Sequence, residues 1–94
     1  MSESIISNEK VCFYCGTPLD LHKHHIYGAG KRNISEKQGC WIYLCMHHHD
    51  DGSKECIHNN PQFEKTMRQF CQYIWEQKKG TRDEFRKLFE KSYL

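Results

Sequence analysis

Cysteines and histidines at metal-ligand spacing dominate the first two thirds of the chain, and all seven histidines fall between positions 22 and 58. Cys12-x-x-Cys15 and, thirty residues after Cys15, Cys45-x-x-His48 have the paired spacing by which zinc staples small domains. Each pair supplies two corners of a tetrahedron. A lone C-x-x-C could serve redox chemistry, but the second pair, and the absence of an α/β pattern around the first, favour zinc. The run Met46-His47-His48-His49 offers three histidines for the last corner. On a helix Cys45 and His48 share a face, whereas His47 points away and His49 is rotated about 100 degrees from His48. His48 is therefore the expected ligand. Cys40, Cys56 and Cys71 have no partner at ligand spacing and read as small buried or neutral thiols.

Histidines remain once that tetrahedron is filled. His24-His25 close an apolar run and His49 lies one step past the zinc ligand. Neighbours on a strand point to opposite sides, so His24 and His25 do not easily bind one metal, but one can bind while the other takes a different task.

The elements that must position these groups follow from the local patterns. Residues 1–10 are polar and aperiodic and read as a loose lead-in. Cys12 to Gly16 form a knuckle, with the glycine supplying the tight turn and Pro18 closing it. Short apolar runs over 21–26 and 40–44 predict two strands, separated by a loop containing Gly28, Gly30 and Gly39. Ser35-Glu36-Lys37-Gln38 fits a capping box and places one helical turn in that loop. A helix is expected over 45–50, ended or interrupted by Gly52, and 51–60 is a connector. Asn60-Pro61 starts a longer helix that runs to about residue 79, with Phe63, Met67, Phe70, Cys71, Ile74 and Trp75 as a core-facing stripe. Gly80 stops it, and Thr81-Arg82-Asp83-Glu84 is a second capping box launching a short helix that carries Phe85, Leu88 and Phe89. The fold class is α+β: one domain over 1–94, with a zinc-stapled module at 11–60 and two covering helices at 61–94.

Composition agrees with that division. A 94-residue chain can form one small domain whose core needs a staple. Hydrophobic residues at 37% and charged residues at 28% are those of an ordinary globular domain. A net charge of +2 does not announce a nucleic-acid partner, so local clustering must carry that argument. No stretch has the apolar length of a membrane span, and residues 1–7 lack the basic flank and apolar core of a signal peptide. A cytoplasmic location is expected, where disulfides rarely persist and six thiols are better explained by metal.

In the order Cys12-x-x-Cys15, Leu21-x-x-His24-His25-Ile26, Leu44-Cys45-x-x-His48-His49, the chain resembles the HNH (ββα-metal) nuclease family, in its zinc-braced form. The resemblance covers residues 12–58, about half the chain. It is similar to small phage or prophage members of the recombination-enhancement kind, whose glycine-containing loop resembles Tyr27-Gly28-Ala29-Gly30-Lys31-Arg32 with Ser35-Glu36. The resemblance implies that His24 binds a catalytic divalent metal, that His25 is the general base and that His49 is a second ligand of the same ion. Such a metal stabilises charge at the scissile phosphate, while a neutral imidazole takes a proton from water. The family's middle asparagine, which braces the loop bearing the base, falls on Cys40; Asn33 is a candidate substitute within the loop, and the bracing role stays unassigned. His58, the only histidine beyond the expected helix, is the further candidate ligand, with Asp50 and Asp51 as rivals; His22 and His47 receive no role.

Lys23, Lys31 and Arg32 cluster around this loop and are expected to meet DNA phosphates. Lys65, Arg68, Lys78, Lys79, Arg82, Arg86, Lys87 and Lys91 alternate with acids on helices and read as a solvated face, at most a secondary surface. The expected function is a metal-dependent DNA endonuclease with a structural zinc and a second divalent ion (magnesium, manganese, nickel or zinc). Its partners would be DNA and a phage or host recombination protein, in a bacterial cytoplasm and away from membranes. A noncatalytic zinc module binding DNA or protein is the alternative, which explains the zinc but not His24-His25. A redox or metal sensor would use Cys40, Cys56 and Cys71, whose scattered spacing argues against it.

Overall fold

A computed structural model describes residues 3–28 and 30–94; Met1 and Ser2 of the expected lead-in and Ala29 of the glycine loop lie outside the described residues. The chain is α+β. Strand β1 (Leu21–His25) pairs antiparallel with β2 (Trp41–Cys45), in a register that sets His25 opposite Trp41 and Leu21 opposite Cys45. β1 ends one residue short of its apolar run and β2 is shifted one residue along from its own, yet the ladder continues past them, because the Ile26 amide donates to the Cys40 carbonyl at 3.0 Å.

The loop between the strands holds helix α1 (Arg32–Gln38), longer than the single turn expected. Ser35 is not its cap. It sits inside the helix, fully buried, where its hydroxyl donates to the Cys40 carbonyl and accepts from the Tyr27 amide, tying the end of β1 to the start of β2. A turn closed by Lys31 N–H to Gly28 O, with Gly30 at φ 92°, starts the helix four residues earlier, with Lys31 in the cap position.

Helix α2 (Met46–His49) is a single turn. Cys45 precedes it in an extended conformation as the last residue of β2, which shortens the helix expected over 45–50. After a 3₁₀ turn (Ile57–Asn59), helix α3 (Pro61–Lys78) begins where Asn60 Oδ1 accepts from the Phe63 amide at 3.1 Å, and helix α4 (Arg82–Phe89) begins with the full Thr81–Glu84 capping box. Of the α3 stripe, Met67, Cys71 and Trp75 are buried, whereas Phe70 is 41% exposed. Gln72 is buried in its place. It bonds Glu76, Ser92 and the Tyr93 amide, and so pins the C-terminal segment to α3.

Tyr27 joins the two halves of the molecule. Its ring meets those of Phe85, Phe89 and Tyr93 at 4.6 to 5.4 Å, and its hydroxyl donates to the Arg68 carbonyl at 2.6 Å. The lead-in is docked rather than loose: Ser4 is buried, its hydroxyl donates to Trp41 O, and the Ile5 amide donates to Gly39 O. Those bonds satisfy backbone carbonyls at the α1–β2 junction that would otherwise lie buried without partners. Cys40, Cys56 and Cys71 are buried free thiols. No helix among the described residues is long and apolar enough to cross a membrane.

Candidate metal and histidine site

Two groups of ligand atoms converge on either side of α2. The first contains Cys12, Cys15, Cys45 and His48. Gly16, at φ 81°, lets its amide reach back to Cys12 O at 2.8 Å, and the Phe13 amide donates to Tyr43 O, fixing the knuckle against β2. Cys15 Sγ and Cys45 Sγ lie 3.8 Å apart; His48 Nδ1 lies 3.2 Å from Cys45 Sγ and 3.8 Å from Cys12 Sγ. Sulfurs held about 2.3 Å from a tetrahedral zinc stand about 3.8 Å apart, so the cluster has the span and donor set of a zinc site. Burial opposes ionisation of Cys12, but the backbone N–H groups of Cys45, Cys15 and Tyr14 outweigh it and hold the thiol down to about 6. Burial pushes the Cys45 thiol up, and the neighbouring Cys12 and Cys15 sulfurs add to the rise.

The second group contains His24, His49 and His58, whose ligand nitrogens lie within 4.8 Å of one another. Their ring centroids form a near-equilateral triangle of 5.3, 5.5 and 5.0 Å sides. β1 presents His24, α2 presents His49 and the 3₁₀ turn presents His58. His24 Nε2 is buried with no hydrogen-bond partner, alone in this among the side-chain nitrogens and oxygens of the described residues. A buried polar atom left unpaired is costly, and a cation coordinated there would remove the cost. Burial, followed by the nearby His49, His58 and His25, drives His24 down to about 3, so at neutral pH it keeps the lone pair a metal requires. Burial, followed by His58 and His22, lowers His49. The three imidazoles thus fit a divalent ion. Asp50 and Asp51 do not join them; Asp51 instead bonds the Ser53 amide and His47 Nδ1.

His25, the next residue after His24, takes a different direction. Its Nε2 lies 2.8 Å from Glu36 Oε1. A carboxylate offers only lone pairs, so Nε2 carries the proton and Nδ1 is the basic nitrogen. The hydrogen bond from His25, reinforced by Lys23, holds the Glu36 carboxyl below its ordinary range. His24, His25, His49 and His58 line one open cavity of about 510 Å³, together with Arg32 and Arg68.

The basic residues expected to meet phosphate divide. Arg32 lines the histidine cavity without a carboxylate partner among the described residues. Lys23 also borders it, but is paired with Glu36 at 3.2 Å and stands 4.1 Å over the Trp41 ring. Lys31 pairs with Glu90 at 2.9 Å and borders an adjoining cavity. Arg68, read from the sequence as part of a solvated face, enters the histidine cavity from α3.

Glu36 and His22 escaped the sequence reading. His22 Nδ1 lies 3.0 Å from His49 Nδ1, so one nitrogen donates and the other accepts, leaving His49 Nε2 for an ion. The signal was present in the two-residue period of β1, which sets His22 and His24 on one face. Asn33, the candidate brace, is exposed on α1, and the carboxylate that reaches His25 is one helical turn further on. In comparisons with known proteins, no family model, no curated protein and no solved structure matches the chain.

Proposed function

We propose that this protein is a metal-dependent nuclease of the HNH (ββα-metal) type that hydrolyses DNA phosphodiester bonds. The observation that carries the reading is the divergence of two neighbours within one cavity. His24 sends an unpaired, buried nitrogen into a three-histidine cluster, while His25 is oriented by a carboxylate as a base. Two strands, a loop helix and a short helix bearing His48 and His49 supply the frame that such a module requires.

His24, His49 and His58 would hold a divalent ion, whose positive charge would offset the negative charge developing on the phosphate and the leaving oxygen. His25 Nδ1 accepts a proton from water as the water oxygen bonds to phosphorus and the bond to the leaving oxygen breaks. Glu36 fixes the tautomer that exposes this lone pair and offsets the charge His25 gains. Arg32 and Arg68 hold the phosphodiester in place through charge-assisted bonds.

The test is cleavage of circular and linear DNA by zinc-replete protein screened with magnesium, manganese, nickel and zinc. Wild type cleaves, and His25→Ala loses on the order of a hundredfold to ten-thousandfold in rate while retaining fold, metal content and DNA binding. His24→Ala instead loses affinity for the second ion and is partly rescued by excess metal. Equal cleavage by His25→Ala overturns the mechanism. Absence of cleavage by wild type throughout the screen overturns the nuclease reading in favour of a noncatalytic zinc module.

A further inference from the structure

Arg68 lies where three cavities meet. One is the histidine cavity; the second, about 410 Å³, is bordered by Lys65 and Lys91; the third, about 340 Å³, by Lys31 and Lys91. Together the three are bordered by six Lys and Arg residues, Lys23, Lys31, Arg32, Lys65, Arg68 and Lys91, and by two acids, Glu64 and Glu90. Glu36, paired with Lys23, brings the acids of this region to three, a surplus of three positive charges. The whole chain carries fourteen Lys and Arg against twelve Asp and Glu. The remainder therefore holds eight cations against nine acids, and the basicity of the protein is concentrated on one side.

That side is built rather than incidental. Arg68 is held by Glu64 on its own helix and reaches the Ile26 carbonyl, one residue beyond His25. Tyr93, on the border of both outer cavities, has Arg68 5.7 Å and Lys91 4.8 Å from its ring centroid. The C-terminal segment that carries Lys91 and Tyr93 is pinned by the buried Gln72 and by Gln69, which bond the Tyr93 amide and carbonyl. Lys65 and Lys91 are exposed and have no carboxylate partner among the described residues.

We infer that Lys65, Arg68 and Lys91 form a track for the DNA backbone, leading away from the histidine cavity over α3 and the C-terminal segment. This rests on the nuclease reading and extends its substrate contact to the half of the chain that the family resemblance does not cover. Three adjoining openings that share one arginine suit a polymer of regularly spaced phosphates better than a single anion. The track binds backbone, so it sets affinity, register and salt dependence and leaves base sequence unread.

The test is binding rather than cleavage. A fluorescently labelled short DNA duplex and its single strand are titrated with zinc-replete protein, without a second metal, over a series of salt concentrations. For the Lys65→Gln/Lys91→Gln variant the duplex affinity falls, and the slope of log affinity against log salt shrinks by about 1.8, at about 0.9 per lost phosphate contact. Lys10→Gln/Lys54→Gln, which removes two exposed lysines bordering none of these cavities, leaves the slope at the wild-type value. A wild-type slope in Lys65→Gln/Lys91→Gln, or an equal loss in the control pair, overturns the track and leaves the nuclease reading standing. Failure of wild type to bind either DNA form overturns both. Normal track behaviour in a protein that never cleaves overturns hydrolysis alone.

Discussion

His25 donates its Nε2 proton to Glu36 across 2.8 Å, which makes a residue of α1 the orienting partner of a histidine on β1. Glu36→Gln preserves an acceptor oxygen but removes the charge that opposes imidazolium formation, and the amide can flip to present its NH₂ instead. In the proposed reaction Glu36→Gln lowers kcat by about tenfold to a hundredfold with little change in KM, and Glu36→Ala lowers it further. Unchanged kcat in both variants would show that the contact is only structural.

The His22–His49 pair predicts a loss of metal affinity without a lost ligand. His22→Phe keeps an aromatic ring beside His49 but removes the nitrogen at 3.0 Å. Affinity of the three-histidine cluster for nickel or zinc should fall by about 10- to 100-fold, while zinc at the Cys12, Cys15, Cys45 and His48 cluster is retained. Isothermal titration of zinc-replete protein measures the second site directly. An affinity equal to wild type removes His22 from the site.

Ligand spacing made the first cluster legible because short-range geometry decides it: a knuckle holds Cys12 with Cys15, and one turn separates Cys45 from His48. The Asn60 and Thr81 caps were legible for the same reason, since each is a contact across three residues. Glu36 was not, because its partner lies eleven residues away across a loop whose helix starts at Arg32. Arg68 was hidden by its own helix. Its neighbours mark a solvated face, and only the packing of α3 against the end of β1 turns it toward the histidines. The docking of Ser4 and Ile5 was equally invisible, because a polar segment without periodicity shows nothing of the carbonyls it will meet.

That docking makes Gly39 sensitive. It ends α1 at φ 75°, and a Cβ there would run into Glu3 O and the Ile5 side chain. Gly39→Ala combines left-handed strain with overpacking, for a destabilisation of about 2 to 4 kcal/mol. Gly52→Ala, at φ 83° but in open space, carries only the strain, about 1 to 2 kcal/mol. Denaturant unfolding of both variants separates the two effects, and equal losses would show that residues 3–5 do not pack there in solution.

The α4 capping box gives a pH dependence of known sign. Bonds from the Thr81 backbone N–H and then its side chain hold Glu84 below the ordinary glutamate value of 4.5. A depressed carboxyl stabilises the fold above its unfolded pKa, and the contribution disappears as pH falls through the folded value. Wild type therefore exceeds Glu84→Gln in Tm at neutral pH, and the difference closes as pH drops below about 4.5. Comparing the two proteins cancels the acid sensitivity of the cysteine and histidine ligands, which they share. A difference constant down to pH 3 would exclude the carboxylate as its source.

Zinc removal should disable both metal clusters, because α2 carries one ligand of each. Its four residues are too few to be stable as an isolated helix, since nucleation outweighs a single turn of hydrogen bonds. A zinc ion held by Cys12, Cys15, Cys45 and His48 would fix it, because Cys45 directly precedes the turn and His48 lies within it. His49 follows His48 directly, so its position beside His24 and His58 would be inherited from that zinc site. Structural zinc in small domains is worth on the order of 10 kcal/mol, comparable with the whole stability of a chain this size, so full chelation should abolish the cooperative thermal transition. A milder perturbation tests the link itself. Cys15 is the exposed ligand, and Cys15→Ser weakens the tetrahedron while leaving every residue of the histidine triangle in place. At zinc concentrations where Cys15→Ser is folded but incompletely loaded, nickel binding at His24, His49 and His58 should weaken in proportion to the empty fraction, and added zinc should restore it. Nickel affinity that stays at the wild-type value while zinc occupancy falls would mean that α2 is held by packing alone and that the two clusters are independent.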